Sequence, residues 1–301
     1  MNIEHDYRKY LRPDVVSHLS RLDLIARLIV EGFITGLHRS PYHGFSVEFS
    51  EYRPYIPGDS TRNIDWKLLA RTDRYYVKLF EEETNLKAYL LLDCSGSMGY
   101  GSGKITKLQY GKYLCAALTY LMLKQRDSVG LVTFDEQIHT YIPPRSVFGY
   151  LHVILKELDT LKPGKKTNIS TTFHELAERI KRRGLIIIVS DLMDDVNEIV
   201  DSLKHFRHRK HELIVFHTLD PMELSFSFDK DTLFVDMESG EKIDTQPCHI
   251  RSQYIKETEK FLAEFKRECG QHRIDYMIMN TSFPFDTSLY RYLVKRKRMR
   301  G

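Results

Sequence analysis

The chain has little of what would tie it to a membrane or to the outside of a cell. Its longest uninterrupted apolar stretches, such as Leu185-Ile186-Ile187-Ile188-Val189, fall far short of the ~20 residues that cross a bilayer, so no transmembrane helix is expected. The first residues, Met1 to Tyr7, are polar and acidic and lack the charged-then-apolar order of a secretory signal. A cytoplasmic location is the expectation that follows. The four cysteines, Cys94, Cys115, Cys248 and Cys269, are widely spaced and form no Cys-x-x-Cys pair. That spacing suggests neither a zinc knuckle nor a disulfide framework and leaves reduced, mostly buried thiols. Charge of one sign is not in large excess either: 45 Lys and Arg against 41 Asp and Glu give a net charge of +4, too mild to indicate a nucleic-acid partner. No internal repeat or low-complexity segment is apparent.

What is present is the composition of a folded α/β protein: 301 residues, 42% hydrophobic and 29% charged, enough for one large domain with or without a smaller companion. Apolar residues from Val16 to Phe33 recur at three- and four-residue steps, which predicts a helix over 13–35 that Gly36 would end. Residues 44–83, rich in Tyr, Phe, Val and Arg with a turn at Pro57-Gly58-Asp59, read as extended strands forming a clasp. From Ala88 onward short apolar runs alternate with amphipathic stretches. The runs at 88–92, 128–134, 185–190, 212–218 and 274–279 read as buried strands, and 104–124, 147–158, 170–182, 197–206 and 251–269 as helices. Alternation of this kind implies an α/β fold with a doubly wound, mostly parallel sheet. The expected organisation is an N-terminal helix plus clasp over 1–83, the sheet domain over 84–281 with a hairpin inserted near 232–245, and a C-terminal helix with a basic tail over 282–301.

In an open parallel sheet the loops at the carboxyl ends of the strands converge on one edge, where ligands bind. Three polar loops of this chain fall there. Asp93, Ser95 and Ser97 follow the first strand, Thr167-Asn168 precedes the 170–182 helix, and Asp191 follows the 185–190 strand. Together they offer two carboxylates and three hydroxyls, a set of hard oxygen donors that selects Mg²⁺, Mn²⁺ or Ca²⁺ over zinc. The same residue types also make capped turns, and it is their coincidence at matching strand ends that favours a metal.

This constellation resembles the metal-ion-dependent adhesion site of von Willebrand factor A-like domains, Asp-x-Ser-x-Ser with a later Thr and a later Asp. The positions here are Asp93, Ser95, Ser97, Thr167 and Asp191. Upstream, Arg53-x-Tyr55-x-x-Gly58-Asp59-x-x-Arg62-x-Ile64-Asp65-Trp66 followed by Ala70-Arg71 resembles the signature of the bacterial domain of unknown function 58 family, and the likeness spans roughly residues 20–220. The resemblance implies a von Willebrand factor A-like fold, a Mg²⁺ at the five residues named, and an adaptor role beside a MoxR-type AAA+ ATPase, with the ion gripping an Asp or Glu of that ATPase or of its client. Two departures stand out: many members carry transmembrane helices that this chain lacks, and Asn168 stands where Asp often follows the Thr. The runner-up function is a Mg²⁺-dependent hydrolase or phosphotransferase. It wants a general base, and the only nearby candidates are Asp194 and Asp195.

Other signals point elsewhere. Gly99 to Lys104 fails the phosphate-loop pattern at Met98 and Ile105, and His174-Glu175-Leu176-Ala177-Glu178 lacks the second His of a zinc-protease helix. His205, His208 and His211 among basic neighbours read as a helix end that complements the helix dipole. The Gly58-Asp59 and Asp65-Trp66 elements read as structural. The run Lys295-Arg296-Lys297-Arg298-Met299-Arg300 reads as a solvated tail, so nucleic acid is not an expected partner.

Overall fold

The computed structural model describes residues 21–39, 52–54, 66–73, 75–78, 86–164, 169–228, 232–237 and 240–300. Helix α1 (Leu22–Arg39) comes first, followed by strand β1 (Tyr52–Pro54), helix α2 (Trp66–Thr72) and strand β2 (Tyr76–Lys78), with β1 and β2 paired antiparallel. The alternating part begins with β3 (Lys87–Asp93), a 3-10 turn at Ser97–Gly99, α3 (Lys107–Lys124), β4 (Ser128–Phe134) and β5 (Ile138–Arg145). It continues through α4 (Tyr150–Thr160), α5 (Ile169–Arg179), β6 (Leu185–Ser190), α6 (Val196–His208), β7 (Glu212–Leu219) and the short α7 (Pro221–Ser225). The hairpin β8 (Thr232–Val235) and β9 (Lys242–Thr245), then α8 (Pro247–Gln271), β10 (Asp275–Asn280) and α9 (Asp286–Arg300) complete it. The central sheet has six strands in the order β10-β7-β6-β3-β4-β5, all parallel except β5, which runs antiparallel to β4. This is the doubly wound, mostly parallel architecture the alternation implies.

The two-residue period of the strands divides the interior. On β3, Ala88, Leu90 and Leu92 face one core while Tyr89 and Leu91 face the other; on β6 the same split puts Leu185, Ile187 and Val189 against Ile186 and Ile188. The first core is closed by α1, α3, α4 and α9, the second by α5, α6 and α8. Burying each such aliphatic side chain contributes roughly 1.5–3 kcal/mol. Helix α3 is buried nearly all round because the sheet covers one side and α1 covers the other through Leu22, Ile25, Ala26, Ile29 and Val30. Its start is fixed by a capping box in which Thr106 Oγ1 accepts from the Gln109 N–H at 3.2 Å and Gln109 Oε1 accepts from the Thr106 N–H at 3.1 Å.

Three expectations need correction. Gly36 does not end the first helix, which runs to Arg39; one glycine in a helix costs only about 1 kcal/mol, less than continued winding returns. The clasp is not wholly extended, since Trp66–Thr72 is helical, and its turn at Pro57-Gly58-Asp59 lies outside the described residues. The thiols are mostly buried, as expected, with Cys94, Cys115 and Cys269 inside and Cys248 exposed. The terminal basic run is not simply a solvated tail: it is part of α9, and Lys295 is buried with its ammonium 2.7 Å from Glu212 and 3.1 Å from Asp275. Further back on α9, Tyr292 donates to Asp127 at 2.8 Å, and Phe285 at the start of that helix stacks on Tyr110 of α3 with centroids 4.5 Å apart. Among the described residues no helix is long and apolar enough to cross a membrane.

Gly130 lies at an irregularity in the register of β4 and β5. A Cβ there would lie 2.5 Å from the Ile142 carbonyl oxygen and 2.9 Å from the Pro144 nitrogen, both backbone atoms that cannot swing away. Gly130→Ala is therefore expected to lower stability by about 1–3 kcal/mol in urea unfolding. Gly149→Ala, where a Cβ meets nothing within 4 Å, should stay within about 0.5 kcal/mol of the parent. Equal behaviour of the two variants would refute this reading of the β4–β5 contact.

Candidate functional site

Leu92 pairs with Val189, so the carboxyl ends of β3 and β6 lie side by side. Asp93 is the last residue of β3, Asp191 follows the last residue of β6, and both are fully buried. Asp93 Oδ1 accepts from the Ser95 backbone N–H at 2.8 Å, which bends the chain off the strand, and Oδ2 accepts from Ser190 Oγ–H at 2.6 Å. Ser95 Oγ and Ser97 Oγ sit 3.0 Å apart at this bend, Ser95 buried and Ser97 half-buried. Asp191 Oδ2 accepts from the Lys107 ammonium at 2.8 Å, whereas Asp191 Oδ1 is buried with no hydrogen-bond partner among the described residues. Of the five expected site residues, four thus gather at one edge. Thr167 lies outside the described residues; the segment containing it is flanked by Gly164, whose N–H donates to the Cys94 carbonyl at 2.5 Å, and by Ile169, whose N–H donates to Asp194 at 3.2 Å.

Charge at this edge is unbalanced. Burial, and then the negative charge of Asp191, push the Asp93 carboxyl up to about 7 despite the bonds from Ser190 and Ser95 that favour its ionised form. Lys107 supplies a positive charge, although burial opposes it; Asp191 and Glu223, 2.8 and 2.5 Å from its nitrogen, hold the ammonium above the ordinary lysine value. Glu223 is itself raised by burial, which Lys107 only partly offsets. One lysine thus pairs with two acidic side chains while Asp93 lies near Asp191, and one buried Asp191 oxygen has no hydrogen-bond partner among the described residues. Oxygen donors set out in this way could hold a hard divalent cation.

The backbone beside it is strained. Leu192, fully buried, holds φ +50° immediately after Asp191, a left-handed conformation that costs a branched residue about 1–2 kcal/mol. Its N–H donates to Ser190 Oγ at 2.9 Å, so the hydroxyl that orients Asp93 also holds the turn.

Sequence reasoning missed Lys107, Ser190 and Glu223. The signal for Lys107 was its place on the stripe with Gly111, Leu114 and Leu118, at helical spacing on the face turned to the sheet. Asp194 accepts from Ile169 N–H at the start of α5, and Asp195 caps α6 by accepting from the N–H groups of Asn197 and Glu198. Both candidate bases are therefore engaged as helix caps. In the loop at 99–104, Ser102 donates through N–H and Oγ–H to the carboxylate of Asp220, an unfavourable neighbour for a phosphate. The three histidines do not meet: His205 lies beside His174 with Nδ1 atoms 3.1 Å apart, His208 is exposed, and His211 is buried between Gly184 and Ile180.

Replacing Lys107 with Met strands two acidic side chains in the interior and is expected to cost about 3–5 kcal/mol in chemical unfolding. Adding Glu223→Gln should restore part of the loss. A single-variant cost below about 1 kcal/mol would show that the ion pair does not hold this edge together.

Residues 51–263 match DUF58, described as a protein of unknown function. Uncharacterized proteins of Mycobacterium bovis and Mycobacterium tuberculosis are each 24% identical over 291 residues, covering 95% of this chain and 91% of theirs. Among solved structures, the chain is similar to the conserved hypothetical protein BatB from Bacteroides thetaiotaomicron, with 16% identity, TM-score 0.49, and coverage of 71% of this chain and 98% of that one. It is also similar to an aerotolerance-related membrane protein from Bacteroides fragilis, at 17% identity, TM-score 0.44 and coverage of 70% and 99%. A third likeness is to the SpRpn10 VWA domain, at 11% identity, TM-score 0.38 and coverage of 70% and 94%. The match over 51–263 takes in both the clasp signature and the strand ends that carry Asp93 and Asp191, and on it the chain belongs to the DUF58 family.

Proposed function

We propose that this chain is a cytoplasmic, metal-dependent protein-binding adaptor working with a MoxR-type AAA+ ATPase in complex assembly or maturation. Asp93, Ser95, Ser97, Thr167 and Asp191 would hold a Mg²⁺ ion. The observation that carries the reading is the buried Asp191 Oδ1, which has no hydrogen-bond partner among the described residues and lies at the edge where Asp93, Ser95 and Ser97 gather. Bound there, the ion would supply a positive charge that attracts a carboxylate from another protein.

The chain's own residues prepare that edge. Ser190 and the Ser95 N–H fix both oxygens of Asp93, and Lys107 fixes one oxygen of Asp191 while leaving the other free to act as a donor. The hydroxyls of Ser95 and Ser97 each keep lone pairs for a cation once their mutual hydrogen bond opens. The competing reading, Mg²⁺-dependent hydrolysis or phosphoryl transfer, is less favoured because Asp194 and Asp195 cap helices. His217 is also a poor base here: burial lowers its pKa to about 4, and its Nδ1 pairs with the Tyr276 hydroxyl at 2.7 Å.

Calorimetry should record Mg²⁺ binding to the parent chain, weakened on the order of 100-fold in Asp93→Ala. Affinity purification from the native source should recover the AAA+ ATPase with the parent, but not with Asp93→Ala or in EDTA, while circular dichroism stays unchanged. Undiminished capture under both conditions would sink the metal mechanism. Metal-dependent turnover of phosphoesters, abolished by Asp93→Ala, would favour the enzymatic reading instead.

A further inference from the structure

A second set of ligating atoms lies on the other side of the β3 terminus. Cys94 stands between Asp93 and Ser95, and its side chain turns toward the β4–β5 hairpin, with Sγ 3.1 Å from the Phe134 carbonyl oxygen. Asp135 follows β4 and His139 is the second residue of β5. The hairpin turn brings them together: the Gln137 N–H donates to Asp135 Oδ1 at 3.1 Å, and the other carboxylate oxygen lies 2.7 Å from His139 Nε2. As a result the Cys94 sulfur, an Asp135 oxygen and a His139 ring nitrogen all lie within 4.8 Å of one another.

Two further facts set this apart from a chance cluster. Cys94 and Asp135 are buried, whereas the His139 side chain is 38% exposed, so the group has a closed floor and a solvent-facing rim. The third wall is Gly164, whose N–H donates to the Cys94 carbonyl and where any Cβ would stand 2.3 Å from Asp135 Oδ2. Glycine at that position leaves room for the carboxylate.

We propose that Cys94, Asp135 and His139 bind a zinc ion, with the fourth coordination place open to water on the His139 side. A thiolate, an imidazole and a carboxylate form a borderline-soft donor set that suits Zn²⁺ and not the Mg²⁺ invoked for the neighbouring oxygens. Tetrahedral zinc with bonds of about 2.0–2.3 Å sets its ligand atoms roughly 3.5 Å apart, so closing the observed triad asks for shifts on the order of 1 Å. The exposed His139 side chain can make them. On binding, the Cys94 thiol proton passes to solvent and the Sγ–Zn bond replaces its contact with Phe134. The same three residue types also occur in thiol hydrolases. Burial first, and the charges of Asp93 and Asp135 after it, push the Cys94 thiol up, however, which makes it a poor nucleophile. The zinc site uses no ligand of the Asp93–Asp191 edge and stands whether or not that edge binds Mg²⁺.

The test uses the full chain, stripped of metal by a chelator and loaded with Co²⁺ as an optical substitute for zinc. A thiolate-to-cobalt charge-transfer band and the strong visible bands of four-coordinate Co²⁺ are expected, both displaced by an equivalent of Zn²⁺. Cys94→Ser should abolish the charge-transfer band, while Cys248→Ser should keep it. His139→Ala changes an exposed side chain and leaves the fold intact, so it guards against misfolding of the cysteine variant. It should weaken Zn²⁺ on the order of 100-fold in competition with a chromophoric chelator. Survival of the band in Cys94→Ser, its loss in Cys248→Ser, or a Zn²⁺ affinity in His139→Ala within about threefold of the parent would each overturn the assignment.

Discussion

Lys107 carries its ammonium group into the interior at the first turn of α3 and meets Asp191 at 2.8 Å and Glu223 at 2.5 Å. Three parts of the chain depend on that one charge. It ties the start of the helix lying across the sheet to the loop after β6 and, through Glu223, to α7, whose Asp220 in turn receives Ser102. Without a cation at this point, the buried Asp191 and the half-buried Glu223 would lack a counter-charge, a situation that proteins rarely tolerate. The lysine answers only part of the negative charge, however, since Asp93 is pushed toward its neutral form and one Asp191 oxygen has no hydrogen-bond partner among the described residues. The fold therefore holds this edge together with a cation of its own, the Lys107 ammonium.

Much of this was legible in the sequence, and the reasons differ from element to element. The 185–190 strand announced itself because a strand buried on both faces reads as a short, nearly continuous run of β-branched and other apolar residues. Asp93 and Asp191 could be placed because parallel pairing puts successive strand ends on one edge whatever the loops do. Lys107 was hidden because a lysine in a first helical turn normally faces water. Only its phase relative to Gly111 and Leu114 betrays the burial. Helix α2 was hidden for the opposite reason, since its aromatic and basic surroundings carry strand-like composition, and local propensity is a weak guide for a seven-residue element.

Cys94, Asp135 and His139 escape any reading by spacing. Their juxtaposition needs the parallel pairing of β3 with β4, the tight turn at 135–137 and the absence of a side chain at Gly164 all at once. Cysteine spacing identifies zinc ligands when they share a local loop. It has nothing to say when each ligand comes from a different strand. The basic C-terminal segment makes a similar point: its charge suggested solvent, but the partners of Lys295, Glu212 and Asp275, lie on neighbouring strands of the sheet.

The division of the interior by odd and even positions has a consequence for how this chain can change over time. Between Ala88 and Asp93 each side chain's core is set by parity alone, so one inserted or deleted residue would exchange the two cores and carry Asp93 away from Ser190. Substitution among apolar residues is tolerated in such a strand far more readily than a change in its length. Along this stretch descent should vary the letters and preserve the count, and any relative with a one-residue gap here should have lost the site along with the register.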